Sequence, residues 1–462
     1  MSLKLLAPWE PDDTHPFDSD AAAHLLRRAG FGASPGEIAA AVDRGLMDTL
    51  DELFAEAPDE DQAFQATFDA INGKLLNGAD PTLAQGWWIY RMVNTRVPLR
   101  EKLTLFWHGH FATSFNKVAD SQLMMRQIDT LREHAWGSFR DLVLAMARDP
   151  AMLVWLDGES NTKAHPNENF ARELMELFTC GIGTYTEQDV LESARAFTGW
   201  HRNGVQFVFN PEEHDAGPKR ILGRRGRFDG SDVIDLLLAQ PATSRFIARK
   251  LLRFFAAPDP SDQVVAEAAE LFDRTQLNVK LFLKELFQSQ YFFSEECRRA
   301  RISSPAEFVV GLVRTLGVRQ AAFDLAPQLT QMGQALLMPP SVKGWDGEEQ
   351  WINSTSLAAR LSFANGIAEL NAGDNPFQAH CPVEQFVSPE ISSPEAVVDI
   401  LAELLFQKAL AEETRQELIT FAVTNEEEGP QPAMFHNDEG FRALKTRQLL
   451  GVMLSLPEYQ AY

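Results

Sequence analysis

Three groups of residues in this chain have types and spacings that could do chemistry. The first is His108-Gly109-His110, two imidazoles separated by one glycine. On a strand the two would share a face and make a bidentate metal pair; on a helix they diverge by about 200°, so only one faces a given site. The flanking sequence reads as helix, and a paired metal-ligand role for His108 and His110 therefore needs a break at Gly109, which glycine permits. The alternative puts one histidine in the core and the other at a helix end.

The second group is His165 with Glu168, Asn169, Arg172, Glu173 and Glu176. If the segment is helical, Asn169, Arg172, Glu173 and Glu176 line one face, and Phe170, Leu174, Leu177 and Phe178 line another. His165 and Pro166 stand where that helix would begin. Imidazoles and carboxylates on facing helices hold iron or manganese in bundle proteins, and a sheltered network of this kind could supply a general acid or base. The recognised di-metal pattern uses Glu-x-x-His on two helices, whereas here His165 precedes Glu168 and no second copy follows. The competing reading is structural, with Arg172 bridging Glu168 and Glu176, each four positions away.

The third group is Lys343-Gly344-Trp345, in a loop punctuated by Pro339, Pro340 and Gly347. Lys343 and Trp345 are candidate cofactor or anion contacts; the alternative is a packed tryptophan corner. The cofactor itself stays open. A divalent metal ranks above haem through His108, His110 or His134, because the chain has no Cys-x-x-Cys-His attachment site. A glycine-rich dinucleotide fingerprint, a phosphate-binding loop, a His-Glu-x-x-His zinc motif and a nucleophile elbow are all missing.

The elements that must position these groups read as mainly α-helical. Ser34 and Pro35 supply an N-cap and first-turn proline for a helix through Val42. The run from Gln85 to Thr95 and the one from Leu103 to Phe111 are apolar enough to be core helices, and 139–148 repeats with a three-four spacing. Residues 56–82 read as a helix and a long connection ending at Gly78-Ala79-Asp80-Pro81, and 331–337 as a short helix. Around 203–228 the pattern changes to alternating and glycine-arginine-rich sequence, which predicts a small β-hairpin or irregular insert at 201–230. Residues 1–375 form the expected main helical domain. A boundary beginning at Gly373 separates it from a C-terminal helical extension, 376–462, packed on it.

At 462 residues, 45% hydrophobic and 23% charged, the chain can bury a large core. Its net charge of −23 argues against a nucleic-acid binder, which needs a basic stripe. The three cysteines, Cys180, Cys297 and Cys381, are too few and scattered for a disulfide framework. No apolar run predicts a membrane span. The opening residues show no secretory signal core, so the expected location is cytoplasmic, or exported if a leader precedes them.

Several of these runs together resemble the bacterial family called domain of unknown function 1800. The matching pieces are His24-Leu25-Leu26-Arg27-Arg28-Ala29-Gly30-Phe31-Gly32, Phe106-Trp107-His108-Gly109-His110-Phe111 and the segment from Asn167 to Leu177. Ala196-Phe197-Thr198-Gly199-Trp200, His214-Asp215 and Pro339-Pro340-Ser341-Val342-Lys343-Gly344-Trp345 add to them, covering roughly residues 18–370 in order. The resemblance implies a bacterial source and one large helical unit, but no reaction. It also implies an exported location for many members and a partner encoded beside them, from an uncharacterised family with a phosphatase-like fold. Two functional expectations follow. One is an enzyme with a polar site, metal-dependent or metal-free, of His108, His110, His165, Glu168, Arg172, Glu173 and Glu176. The other is a non-catalytic accessory or assembly protein in which the same residues fix helix register.

Overall fold

A computed structural model describes residues 5–75, 80–371, 378–425 and 427–461. The expected connection at Gly78-Ala79 and the start of the expected boundary at Gly373 lie outside the described residues. Helices dominate, and the described strands form three two-stranded antiparallel sheets. The helices that matter for the site are α1 (Ser19–Ala29), α2 (Pro35–Arg44), α3 (Thr82–Asn94), α4 (Pro98–His110) and α5 (Asn169–Glu173). They are followed by α6 (Glu187–Ala196), α7 (Pro241–Phe255), α8 (Pro305–Thr315), α9 (Ala326–Gln331), α10 (Ser354–Glu369) and α11 (Glu439–Leu454).

Local chemistry explains where these helices begin. Ser34 accepts from the Glu37 amide while Glu37 reaches back to the Ser34 amide, and Pro35 opens α2 with the φ a helix needs. Pro98, which looks like a breaker after α3, opens α4 for the same reason. The insert after α6 holds two hairpins. Trp200–Asn203 pairs with Gln206–Phe209 around Gly204, at φ +59°, and Lys219–Ile221 pairs with Arg224–Gly226. The expected helix at 331–337 does not form. α9 stops at Gln331, and Gly333 (φ +98°) and Leu337 (φ +63°) turn the chain instead. Residues of the tail pack on the rest: the buried Arg360 of α10 donates to the Ser303 carbonyl at 2.6 Å and to Gln460 Oε1 at 3.4 Å.

α4 runs through the centre and is buried along nearly its whole length. Trp107 donates its indole N–H to the Ala135 carbonyl at 2.7 Å, and Trp88 of α3 donates to Glu101 at 3.2 Å, so these large rings are buried with their polar atoms satisfied. The same helix carries Lys102, whose ammonium lies 2.6 Å from Glu307 Oε1 with both side chains fully buried. Lys102 also donates to the Gly30 carbonyl at 2.7 Å, just past the end of α1. Glu307 completes a capping box with Ser304 at the start of α8 and meets Arg301 at 3.3 Å. Burial alone would raise the Glu307 carboxyl, but Lys102 and Arg301 beside it hold it well below the usual carboxylate range. Cys180, Cys297 and Cys381 are all buried and free.

Removing one partner of such a pair leaves a bare charge in the core. Glu307→Gln is expected to lower unfolding free energy by roughly 3–5 kcal/mol, read from denaturant melts. The double variant Lys102→Met/Glu307→Gln should recover part of that loss, because the Lys102 charge no longer remains to be desolvated and Arg301 keeps Glu348.

Candidate functional site

The last turn of α4 and the C-terminal half of α7 form two walls of a cleft of about 210 Å³. Phe106, Gly109 and His110 come from the first helix and Lys250, Arg253 and Phe254 from the second. Arg301 and the loop that carries Lys343, Trp345, Asp346, Glu348 and Trp351 close the space. Four cationic side chains thus face two carboxylates, in a chain whose net charge is −23. Two of the cations have acidic partners. Lys343 sits 3.5 Å from Asp346 in solvent, and Arg301 donates to Glu348 at 3.2 Å.

Lys250 is held differently. Its ammonium is 3.0 Å from His110 Nδ1 and donates to the Leu177 carbonyl at 3.2 Å. His110 Nε2 lies 3.1 Å from the Phe178 carbonyl, and a carbonyl only accepts, so Nε2 carries the proton and Nδ1 presents its lone pair to Lys250. Burial, reinforced by the charge of Lys250, keeps the imidazole neutral by pulling it well below the ordinary histidine range. Burial, with Arg253 adding to it, also draws the Lys250 ammonium down to about 8. The ring of Phe246 lies 4.8 Å from the same nitrogen.

The two carbonyls belong to a short π-helix, Leu174–Thr179, that continues α5. Such wide turns are rare and concentrate at functional sites. The last carbonyls of a helical segment have no partner within it and carry partial negative charge, which Lys250 and His110 complement from outside. The segment around Glu176 therefore meets His110 through its main chain, while its carboxylates do not reach the imidazole.

The glycines explain the fit of the loop on α4. Gly344 has φ +81°, and a Cβ there would lie 2.2 Å from the Gly109 carbonyl oxygen, so only glycine allows this approach. Gly109 itself is helical and its Cβ position is open, so no break occurs there. His108 points elsewhere, accepting the Leu337 N–H at 3.1 Å through Nε2 while the Leu337 carbonyl accepts from the Phe115 amide at 2.8 Å. Its ring packs edge-on against Trp88 and Trp345, at 5.3 and 5.6 Å, and burial lowers it to about 3. The paired-ligand geometry for His108 and His110 is therefore not what the continuous helix produces. Among the described residues, no group of three or more His, Cys, Asp or Glu is placed to hold a metal ion.

The remaining candidates lie on the outer face of the π-helix segment. His165 is exposed, in a turn where its amide bonds the Thr162 carbonyl at 3.0 Å, and the helix begins only at Asn169. Arg172 bridges Glu168 at 2.9 Å and Glu187 at 2.7 Å. Glu176 accepts from Tyr185 at 3.3 Å and is not the second arm of the expected ladder. Burial, then the nearby Glu176, raises the Glu173 carboxyl. These partly solvated pairs tie α5 to the first turn of α6, where water and salt screen them. Lys250, Arg253 and Arg301 were not singled out by the sequence; the available signal was a cationic α7 in an acidic chain.

A second cavity, of about 380 Å³, gathers Arg91, Arg100 and Arg132. Their charges are met by Asp129, Asp61 and Glu101, at 3.0 Å for the first two pairs and 2.5 Å for the third, and Glu56 also pairs with Arg100, so this is a salt-bridge network rather than a cationic cleft.

Two glycine variants separate loop docking from helix geometry. Gly344→Ala should cost at least about 1–3 kcal/mol and shift the emission of Trp345, because a left-handed residue and a backbone clash coincide. Gly109→Ala should leave stability unchanged or slightly raised, as alanine favours a helix.

No curated protein and no solved structure matches the chain. No described helix is long and apolar enough to cross a membrane. Residues 24–461 match one family, described as Protein of unknown function (DUF1800), and with nearly the whole sequence covered the chain belongs to that family.

Proposed function

We propose that the cleft binds a small anionic molecule with a flat apolar body, that Lys250 attracts its charged end, and that His110, whose Nδ1 faces Lys250, relays a proton. The observation that carries this reading is the contact of Lys250 Nζ with the bare Nδ1 of His110, in the wall of a cationic cleft lined by Phe106, Phe254, Trp345 and Trp351. An ammonium without a carboxylate partner attracts an anion, and aromatic faces accept a planar body by stacking. Lys343 and Trp345 keep the ligand-contact role suggested by their motif. In this reading Glu168, Arg172, Glu173, Glu176 and His165 have no contact with ligand. They support the π-helix, so that the Leu177 and Phe178 carbonyls stay aimed at Lys250 and His110.

A second reading is favoured by the Leu177 contact: Lys250 would simply cap the π-helix, and the protein would be an accessory component without a small-molecule ligand. Titration calorimetry with terephthalate, a flat dianion, decides between them. Ligand binding predicts saturable heat with terephthalate, none with neutral benzamide, and affinity reduced about tenfold or more in Lys250→Gln. Capping alone predicts a lower melting temperature for Lys250→Gln and no terephthalate heat in either protein.

The ligand reading also fixes a pH dependence. The groups around the ammonium are the guanidinium of Arg253 and the neutral imidazole of His110. Anion affinity should thus be full near pH 7 and fall as pH rises through about 8, where Lys250 loses its proton. In Lys250→Gln the step should vanish.

A further inference from the structure

The cleft offers two amines, and their surroundings are opposite. Lys343 is exposed and beside Asp346. Lys250 is half-buried, next to the ring of Phe246, and its nearest side-chain polar atom is an imidazole nitrogen with a free lone pair. A charge-binding site gains most from a guanidinium or a solvated ammonium. An amine placed against a neutral base is suited to become a nucleophile, because that base can take the proton the nitrogen must lose. The fully buried Lys102, in contrast, is locked to Glu307 and the Gly30 carbonyl and does not line the cleft.

Resting on the cleft reading above, we propose that Lys250 forms an imine with the carbonyl group of a flat, anionic aldehyde or ketone, with His110 as the proton carrier. Lys250 Nζ, as the free amine, adds to the carbonyl carbon; the C–N bond forms as the carbonyl π pair moves to oxygen. His110 Nδ1 takes one proton from the nitrogen and returns it to that oxygen, giving a carbinolamine. The second N–H proton follows the same route to the hydroxyl, the C–O bond breaks and water leaves, while the nitrogen lone pair completes the C=N bond. The overall balance is amine plus carbonyl giving imine plus water, with no oxidant or reductant. His110 is suited to both transfers, since the Phe178 carbonyl holds its Nε2–H and keeps Nδ1 directed at Lys250. Arg253, also in the α7 wall, is available for the anionic end. The lowered proton affinity of Lys250 fits this role, since more of the amine is free near neutral pH.

The test uses 4-carboxybenzaldehyde, a planar aldehyde with one carboxylate, and sodium cyanoborohydride to fix any imine, followed by peptide mass mapping. The expected result is one dominant adduct, on Lys250, formed about tenfold or more faster than on any other lysine. Lys250→Arg should lose the fast adduct. His110→Gln should slow adduct formation on Lys250. Adducts spread evenly over surface lysines, with terephthalate binding intact, overturn the imine and leave the cleft reading standing. Selective trapping of Lys250 without terephthalate binding supports the imine and overturns the anion reading. Absence of both overturns both.

Discussion

The buried contact between Lys102 and Glu307 ties together elements far apart in the chain. Two opposite charges wholly removed from water are tolerable only if each finds a partner at hydrogen-bond distance. That demand reaches outward. Lys102 sits on α4 and reaches the chain just past α1, while Glu307 closes the capping box of α8 and meets Arg301. Arg301 in turn meets Glu348, which also accepts from the Ile302 amide. One ionic contact thereby fixes the N-terminal helix, the central helix and the loop that closes the cleft.

Two helical turns downstream on α4, the same rigid helix delivers its two histidines to different tasks. The side-chain period of a helix sends His108 toward the Leu337 turn and His110 toward the π-helix and α7. The first pins a strained turn and the second faces a cationic wall. An acidic protein thus gathers four of its cationic side chains in a concave place lined by tryptophan and phenylalanine, where field lines are focused rather than diluted.

Much of the fold was legible in local signals. Ser34-Pro35 marked a helix start because both act within one turn, and the alternation near Val205 marked a hairpin because strand period is local too. The 331–337 segment was misread because its apolar residues suit a helix, whereas Leu337, at positive φ, is held by contacts with His108 and Phe115, far away in sequence. The site was half legible. His110, Lys343 and Trp345 stood out by motif and do line one cleft. Lys250 did not stand out, because a lysine on an amphipathic helix looks solvated until the π-helix carbonyls and His110 are seen around it. The Glu168–Arg172 pair was readable from its spacing; Glu187 and Tyr185 were not, since both come from beyond the helix.

The close approach of Gly344 to Gly109 has an entropic corollary. A loop seated against the main chain of its neighbour, and tied at Glu348, has already surrendered its freedom during folding. An incoming molecule need not reorganise it, and little of its contact energy is lost to ordering Trp345. On the proposed ligand reading, recognition at this cleft would be lock-and-key in character: shape and charge are set in advance, and selectivity falls on whether a guest's plane and anionic end match them.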